Sequence, residues 1–186
     1  MDPGEPEHEL LNPVTGQSIR ILQESPELLL VETRYRAGGP KAPAHHHPAQ
    51  EERFRVLEGG VRVVLHGVER VLGEGEELVV APGTRHEFGA LPDRDGLVRW
   101  ETRPALNTAA LFRTTFGLAR DGRVNPRTGV PGLLQVAIIG QEYGAEFRLA
   151  RPARVVQVAL FALLAPIGRA RGLRGSYPEY SGTPVS

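Results

Sequence analysis

The chain has 186 residues, enough for one domain or for one domain with an appendage. Hydrophobic residues make up 40% of it, so the composition indicates a folded protein and argues against a disordered one. The net charge is zero and there is no cysteine, which excludes disulfides and any zinc site built on thiolates.

The N-terminal stretch, residues 1–16, is acidic and contains no apolar run. It therefore predicts no secretory signal and, by default, a cytoplasmic location. Strands are predicted over residues 17–23 and 28–36. In the second, Val31, Thr33 and Tyr35 alternate with charged residues, as in a strand with one buried face.

The next segments supply three histidines and a glutamate that we predict to be metal ligands: His45, His47, Glu52 and His86. Residues two apart in a strand face the same side, so His45 and His47 are expected to point into one cavity and His46 away from it. Glu52 shares its side with Phe54 and Val56, which makes it, and not Glu51, the inward carboxylate.

A tight turn over residues 81–84 precedes His86. Pro82 fixes one backbone angle and Gly83 permits a sharp bend, so the turn can bring His86 back to the other three ligands. Imidazole with one carboxylate suits iron, manganese, nickel, copper, cobalt or zinc, and the sequence does not select one. Four protein ligands leave two positions of an octahedron for water, dioxygen or a chelating substrate.

The ligands stand in two frames rich in glycine and proline, GGPKAPAHHHPAQEERFRVLEGG and GEGEELVVAPGTRHEF. Over residues 27–103 this pattern resembles the signature motifs of the cupin superfamily, in its single-domain form. The resemblance implies a mainly β fold, an antiparallel jelly-roll barrel that carries one divalent metal on the predicted ligands. Many single-barrel cupins are oxygenases or isomerases, but the fold hosts too many activities to choose among them.

The remaining strands of the barrel follow from turn signals. Residues 53–72 predict two hairpins, with turns at residues 58–60 and 66–67, and the second turn places His66 at a solvated tip. Residues 86–103 predict another strand pair that turns at residues 92–96, so that a closed or nearly closed barrel results. Four side chains on these strands are candidates for the pocket wall, although core or surface roles suit them equally: Phe54, Arg62, Arg99 and Trp100.

After Pro104 the pattern becomes helical. One helix is predicted to follow Pro104, with an apolar stripe on one side: Leu111, Phe112, Thr115, Phe116 and Ala119. A loop over residues 121–132 leads to two further apolar segments, the second with a break or kink near Pro166, and to an extended tail. We therefore divide the chain into a barrel with N-terminal strands, residues 1–104, and a helical C-terminal extension, residues 105–186.

Charge separates the two parts. Residues 1–104 contain 12 basic and 18 acidic side chains, whereas residues 105–186 contain 10 and 4, so the extension is expected to dock on the barrel or on a partner. The longest apolar run, residues 155–167, is shorter than the roughly 20 residues of a membrane span. It predicts a buried helical pair or a dimer interface. The alternative is a helical hairpin on an anionic membrane surface, with six arginines near its ends: Arg148, Arg151, Arg154, Arg169, Arg171 and Arg174.

Two functions remain open at this point. The first is an enzyme, a metal-dependent dioxygenase or less readily an isomerase or hydrolase, acting on a small molecule in the barrel. The second is a non-catalytic protein that binds or senses a small ligand, with the helical tail for dimerisation or membrane-surface attachment. We predict a homodimer, because the apolar extension adds surface that one barrel does not cover. No binding to nucleic acid is expected, since the basic residues form no stripe.

Overall fold

The computed structural model of the chain describes residues 9–181. Within this range the chain forms these strands: β1 Leu10–Leu11, β2 Ser18–Glu24, β3 Leu29–Tyr35, β4 His45–His46, β5 Glu51–Leu65, β6 Val68–Gly73, β7 Glu77–Val80, β8 His86–Ala90, β9 Gly96–Arg103 and β10 Arg148–Leu149. The helices are α1 Thr108–Arg120, α2 Leu133–Glu142, α3 Arg154–Ala170 and a short 3-10 helix Pro178–Tyr180. The predicted mainly β fold with a helical C-terminal extension is confirmed.

The strands form two antiparallel sheets that share β5. One sheet contains β1, β2, β3, β9, β7 and the first half of β5, and the other contains β6, β8, β4, β10 and the second half. Between them lies an apolar core that includes Phe54, Val56, Val61, Val63 and Val98, each at most 3% exposed. This is a jelly roll, in which hydrogen bonds within the described residues do not close the strands into a ring.

Strand β5 corrects one sequence prediction. No hairpin turn occurs at residues 58–60, because β5 continues without a reversal from Glu51 to Leu65. A bulge shifts its register between Val56 and Glu58, and the strand then passes from one sheet to the other. Gly59 has a φ of 67°, and a side chain there would clash with the carbonyl of Asp95. The glycines thus mark a sheet corner and not a turn.

Two further turn predictions have different outcomes. The hairpin between β5 and β6 is confirmed, with φ of 51° at His66 and 84° at Gly67, as a two-residue primed turn requires. The predicted pairing of β8 with β9 is wrong, since each pairs with a different half of β5. β8 and β9 follow each other in the chain, but the bulge in β5 places them in different sheets, so the turn that joins them does not form a hairpin.

Helix α1 packs against the face of the first sheet that also carries Phe54 and Trp100. Ala109 and Phe116 pack with Ile19, Leu29 and Val31 in a buried cluster. At the edge of this contact Arg113 pairs with Glu24, at 2.7 Å between Nη2 and Oε2. The extension therefore docks on its own barrel mainly through apolar surface, and one ion pair has the predicted charge complementarity.

Helices α2 and α3 pack against each other beside α1. Gly140 lies against the ring of Phe161, and Gly168 lies against Ile138. Of the predicted break or kink near Pro166, the break is absent, because α3 continues to Ala170 with the proline on its exposed side. A kink there stays a prediction. No helix in the described range is long and apolar enough to cross a membrane.

The C-terminal residues are not an extended tail as far as Ser181. They form the short 3-10 helix, and Tyr177 and Tyr180 are buried with Leu111 and Leu118 in one apolar cluster. Residues 1–8 and 182–186, and the parts of the terminal predictions that fall on them, lie outside the described residues. The division of the chain at residue 104 stays a prediction.

Candidate metal centre

Strands β4, β5 and β8 bring the predicted ligands together. His45 on β4 pairs directly with His86 at the start of β8, and His47 lies two residues beyond His45. One nitrogen of each of these three histidines lies within 4.8 Å of one nitrogen of the other two. All three side chains are buried, whereas His66 is exposed and His46 is partly buried outside the group.

The turn before His86 is tied to the histidine strand. The Gly83 N–H donates to the carbonyl of His47 at 2.8 Å, and Thr84 N–H closes the turn on Ala81 at 3.1 Å. Gly83 has a φ of 77°, which glycine adopts without strain. The role predicted for this turn is therefore seen directly in its hydrogen bonds.

Each histidine has its Nδ1 bound to a backbone carbonyl. The partners are Pro43 for His45 at 2.7 Å, Glu146 for His47 at 2.7 Å and Thr84 for His86 at 2.9 Å. A carbonyl can only accept, so each Nδ1 must carry the proton, and in a neutral ring Nε2 then has a free lone pair. This arrangement is typical of metal-binding histidines, whose second nitrogen is held by a hydrogen bond.

Glu52 lies fully buried between two of these rings. Its Oε1 is 3.2 Å from Nε2 of His47, and its Oε2 is 3.1 Å from Nε2 of His86. The indole N–H of Trp100 donates to Oε1 at 3.1 Å. Glu52 faces inward with Phe54, as the strand alternation predicts, and Glu51 lies on the other side of β5.

Burial and charge affect the histidines differently. Burial, together with the neighbouring histidines, lowers the pKa of His45 well below its ordinary value. Burial also lowers the pKa of His47, against the opposing charge of Glu52. At His86 burial again works to lower the pKa, but the carboxylate of Glu52, 3.1 Å away, outweighs it and raises the pKa. His45 and His47 are therefore neutral at pH 7 and offer lone pairs.

Unpartnered polar atoms test whether a metal fits here. Nε2 of His47 and Oε2 of Glu52 are buried and make no hydrogen bond. A buried polar atom without a hydrogen-bond partner costs about 1–3 kcal/mol of folding free energy. Two such atoms side by side therefore indicate a binding site for a partner that is not part of the chain. Three imidazole nitrogens and one carboxylate are a donor set that divalent iron, manganese, cobalt, nickel, copper and zinc accept. The residues present fit such an ion.

The helical extension completes this centre. Strand β10 pairs with β4, so that Leu149 lies opposite His45. The ring of Phe147 lies 4.7 Å from that of His45, and the backbone oxygen of Glu146 holds His47. The Glu146 side chain is buried as well, and its Oε1 accepts from both Asn107 N–H groups, of the backbone at 3.1 Å and of the side chain at 3.0 Å.

Sequence reasoning did not find Glu146, Phe147 or Gln50. Gln50 is 1% exposed, and its Nε2 donates to two backbone carbonyls and to the hydroxyl of Thr108, at the junction of barrel and helices. The one available signal was Glu146 itself, the last acidic residue before a long stretch without carboxylates.

A cavity of about 290 Å³ extends from the histidines to the space between barrel and helices. Of the candidate wall residues, Phe54 and Trp100 line it, whereas Arg62 and Arg99 pair with carboxylates elsewhere. Most of the apolar stripe predicted for α1 lines the cavity, and so do residues of α2 and α3. Among them are Leu111, Phe112, Phe116, Ile139 and Phe161. The lining of the cavity is thus mainly apolar and aromatic, and the three histidines form part of it.

Comparison with known proteins agrees with this architecture. Residues 31–98, which contain all four predicted ligands, match the family model of the cupin domain. The chain contains a cupin domain over these residues. This cupin is 43% identical over 58 residues to the probable oxidoreductase yanE of Aspergillus niger, which is 30% of this chain and 22% of the relative.

Two other similarities extend further along the cupin. It is 31% identical over 106 residues to an oxidoreductase of Arthrobotrys oligospora, covering 53% of this chain and 41% of that protein. The matches therefore span less than half the length of these curated relatives. An RmlC-like cupin from Shewanella frigidimarina has 25% identity over 56% of this chain and 90% of its own, with a TM-score of 0.48.

Proposed function

We propose that this cupin is a metal-dependent oxidoreductase, of the dioxygenase kind, that acts on a small apolar molecule bound between the barrel and the helices. One observation carries the proposal. Three buried histidines have each Nδ1 fixed by a carbonyl, which directs three Nε2 lone pairs to one spot at the end of the cavity. The oxidoreductase names of the two fungal relatives support the reaction class.

His45, His47 and His86 would hold the metal, with Glu52 as the fourth ligand. A divalent metal at this position supplies Lewis-acid polarisation or, if it is redox-active, electron transfer between substrate and dioxygen. Trp100 orients Glu52 through its indole N–H, so the carboxylate keeps its place between the two rings. Because an imidazole must be unprotonated to bind a cation, His86, whose pKa Glu52 raises, would be neutral in the metal-bound centre.

The cavity wall supports the substrate class. Aromatic side chains from both parts of the chain surround the space, including Phe54, Trp100, Phe112 and Phe161. Such a wall excludes water from the centre and binds an apolar, ring-sized molecule through its faces. Arg36, a cation at the lining, would favour an otherwise apolar substrate that carries one anionic group.

Metal content measured beside oxygen uptake tests this function. Protein purified without chelator or affinity metal is expected to contain about one equivalent of a transition metal. A His45→Ala/His86→Ala variant should lose it, and aromatic substrates should drive oxygen consumption in the wild type alone. His46→Ala is the matched control, because it removes a histidine from the same strand but outside the three-histidine group.

Loss of metal in the His46→Ala variant as well would contradict the assignment of these ligands. One equivalent of metal with no turnover of any aromatic substrate would instead favour the second candidate, a binding or sensing cupin. That candidate is supported by the apolar cavity, which suits ligand binding as well as catalysis. The homodimer and the cytoplasmic location stay predictions of the sequence.

A further inference from the structure

Helix α3 exposes an apolar surface along its whole length. The buried residues of its 17 are spaced about one turn apart: Gln157, Phe161, Ala165 and Gly168. Apart from Gln157, every residue from Val155 to Ile167 is apolar. Val155 and Leu163 are 74% and 66% exposed. A helix on the surface of a globular protein normally turns charged and polar residues outward, and this one has none there.

Arginines flank this apolar surface at both ends. Arg148, Arg151 and Arg154 precede or begin α3, and Arg169, Arg171 and Arg174 end or follow it. Between Glu146 and Glu179 the chain has no acidic residue. Within residues 9–181 none of these six arginines forms an ion pair with a carboxylate. The charge of the four that are exposed and do not line the cavity, Arg151, Arg169, Arg171 and Arg174, is therefore available to an external partner.

A second copy of the chain is a poor partner for this face. A two-fold dimer through α3 would set the helices antiparallel or parallel. Antiparallel helices bring Arg151 and Arg154 near Arg169 and Arg171 of the other copy, and parallel helices bring each arginine near its equivalent. Both arrangements place like charges together at both ends with no carboxylate between them, which is unfavourable.

An anionic lipid surface matches both properties. A helix with an apolar outer face and basic flanks lies in the plane of a bilayer, with its apolar side chains at the boundary of headgroups and acyl chains. The 17 residues of α3 give a contact about 25 Å long, too short to span a bilayer but long enough to lie on it. We propose that α3 attaches this cupin to a membrane surface rich in anionic lipids.

The placement of the cavity agrees with such an attachment. Arg154, Gln157 and Phe161 on the inner side of α3 line the cavity, while Val155 and Leu163 face outward. The helix would therefore separate the candidate site from the bilayer by its own thickness, about 10 Å. The attachment does not depend on the metal or on catalysis, and its test requires neither.

Co-flotation of the full chain with vesicles tests the attachment. The wild type is expected to float with phosphatidylcholine vesicles that contain phosphatidylserine, at low salt, and to float less at high salt. A Val155→Glu/Leu163→Glu variant should bind at least about tenfold less, because it places charges where apolar side chains enter the lipid. Replacing Arg151, Arg171 and Arg174 by glutamine should weaken binding about fivefold per arginine, and only to the anionic vesicles.

The matched control is Val68→Glu/Val71→Glu, on β6 of the barrel. Val68 and Val71 are 69% and 49% exposed, so this variant changes surface hydrophobicity to a similar degree at a place remote in sequence from α3. It should float as the wild type does. Circular dichroism of each variant confirms that it is folded, and all the substituted side chains are exposed.

Three outcomes would overturn the proposal. In the first, the wild type does not float with phosphatidylcholine vesicles, either with or without phosphatidylserine. In the second, Val68→Glu/Val71→Glu loses as much binding as Val155→Glu/Leu163→Glu. The third is a dimer in sedimentation without lipid that Val155→Glu/Leu163→Glu dissociates, which would assign the face to a second copy. A dimer that persists in this variant agrees with pairing through other surfaces and leaves α3 to the lipid.

Discussion

Glu146 serves the candidate centre with two different groups. Its backbone oxygen accepts the Nδ1–H of His47, and its carboxylate accepts both N–H groups of Asn107 just before α1. A negative charge at the first turn of a helix is favourable, because the free N–H groups and the helix dipole point toward it. The side chain thus anchors the backbone carbonyl that orients a predicted metal ligand.

Replacing Glu146 by alanine should affect both stability and metal binding. We expect the free energy of unfolding to fall by about 1–3 kcal/mol, because the N–H groups at Asn107 lose their acceptor. Metal affinity should fall about 10- to 100-fold, as it does when an outer hydrogen bond to a ligand is disturbed. Urea unfolding and chelator competition measure the two effects.

Two variants control this prediction. Glu146→Gln keeps one carbonyl oxygen for Asn107 and should lose less of both quantities. Glu179→Ala removes an exposed carboxylate of the same extension and should change neither. A Glu146→Ala chain that is less stable but binds metal with unchanged affinity would show that Glu146 supports the fold alone.

At the scale of elements, the position of α3 depends on a close approach to α2. Gly140 on α2 lies against the buried ring of Phe161, and any Cβ at Gly140 would overlap that ring. Glycine is normally unfavourable inside a helix by about 1 kcal/mol relative to alanine, so its presence here has a packing reason. The contact holds α3 against the cavity on one side and leaves its opposite side exposed.

The Gly140→Ala variant should therefore be less stable in spite of its better helix propensity. We expect a net loss of about 1–3 kcal/mol, measured by urea unfolding, because overpacking outweighs the gain in propensity. The double variant Gly140→Ala/Phe161→Leu should recover part of the loss, since a smaller side chain makes room for the methyl group. Equal stability of Gly140→Ala and wild type would contradict the observed contact.

For the whole molecule, the candidate centre joins segments that are far apart in the chain. Its predicted ligands lie on β5, on β8 and on β4 or directly after it, and the extension adds Glu146 and Phe147. Glu146 is 99 positions from His47, to which it is hydrogen-bonded. An ion that binds this assembly but not the unfolded chain stabilises all of these contacts together. Metal binding and folding are therefore expected to be linked.

Metal should raise the melting temperature of the wild type. At a free metal concentration a hundredfold above Kd the gain is about 2.7 kcal/mol, and a chelator should reverse it. The gain should disappear as the pH falls, because the imidazoles must be unprotonated to bind. Thermal unfolding followed by circular dichroism checks this expectation. The metal-induced rise in melting temperature should persist in His46→Ala and be lost in His47→Ala. An unchanged shift in His47→Ala would remove that residue from the ligand set.

The sequence by itself determined the features that depend on neighbouring residues. Strand alternation has a period of two, so it correctly placed His45 and His47 on one side and Glu52 inward, and the turn at Pro82 and Gly83 correctly preceded the return of the chain at His86. Backbone sterics acting within a few residues are sufficient for these predictions.

Only the tertiary structure decided the rest. Gly59 carries the same local signal in a turn and in a sheet corner, and only the pairing of β5 with both sheets distinguishes them. The contact of His47 with Glu146 and the walls of the cavity depend on where the helices pack, which no short-range pattern records. The exposure of α3 is decided in the same way, because an apolar helix becomes buried or exposed according to what the remainder of the fold places against it.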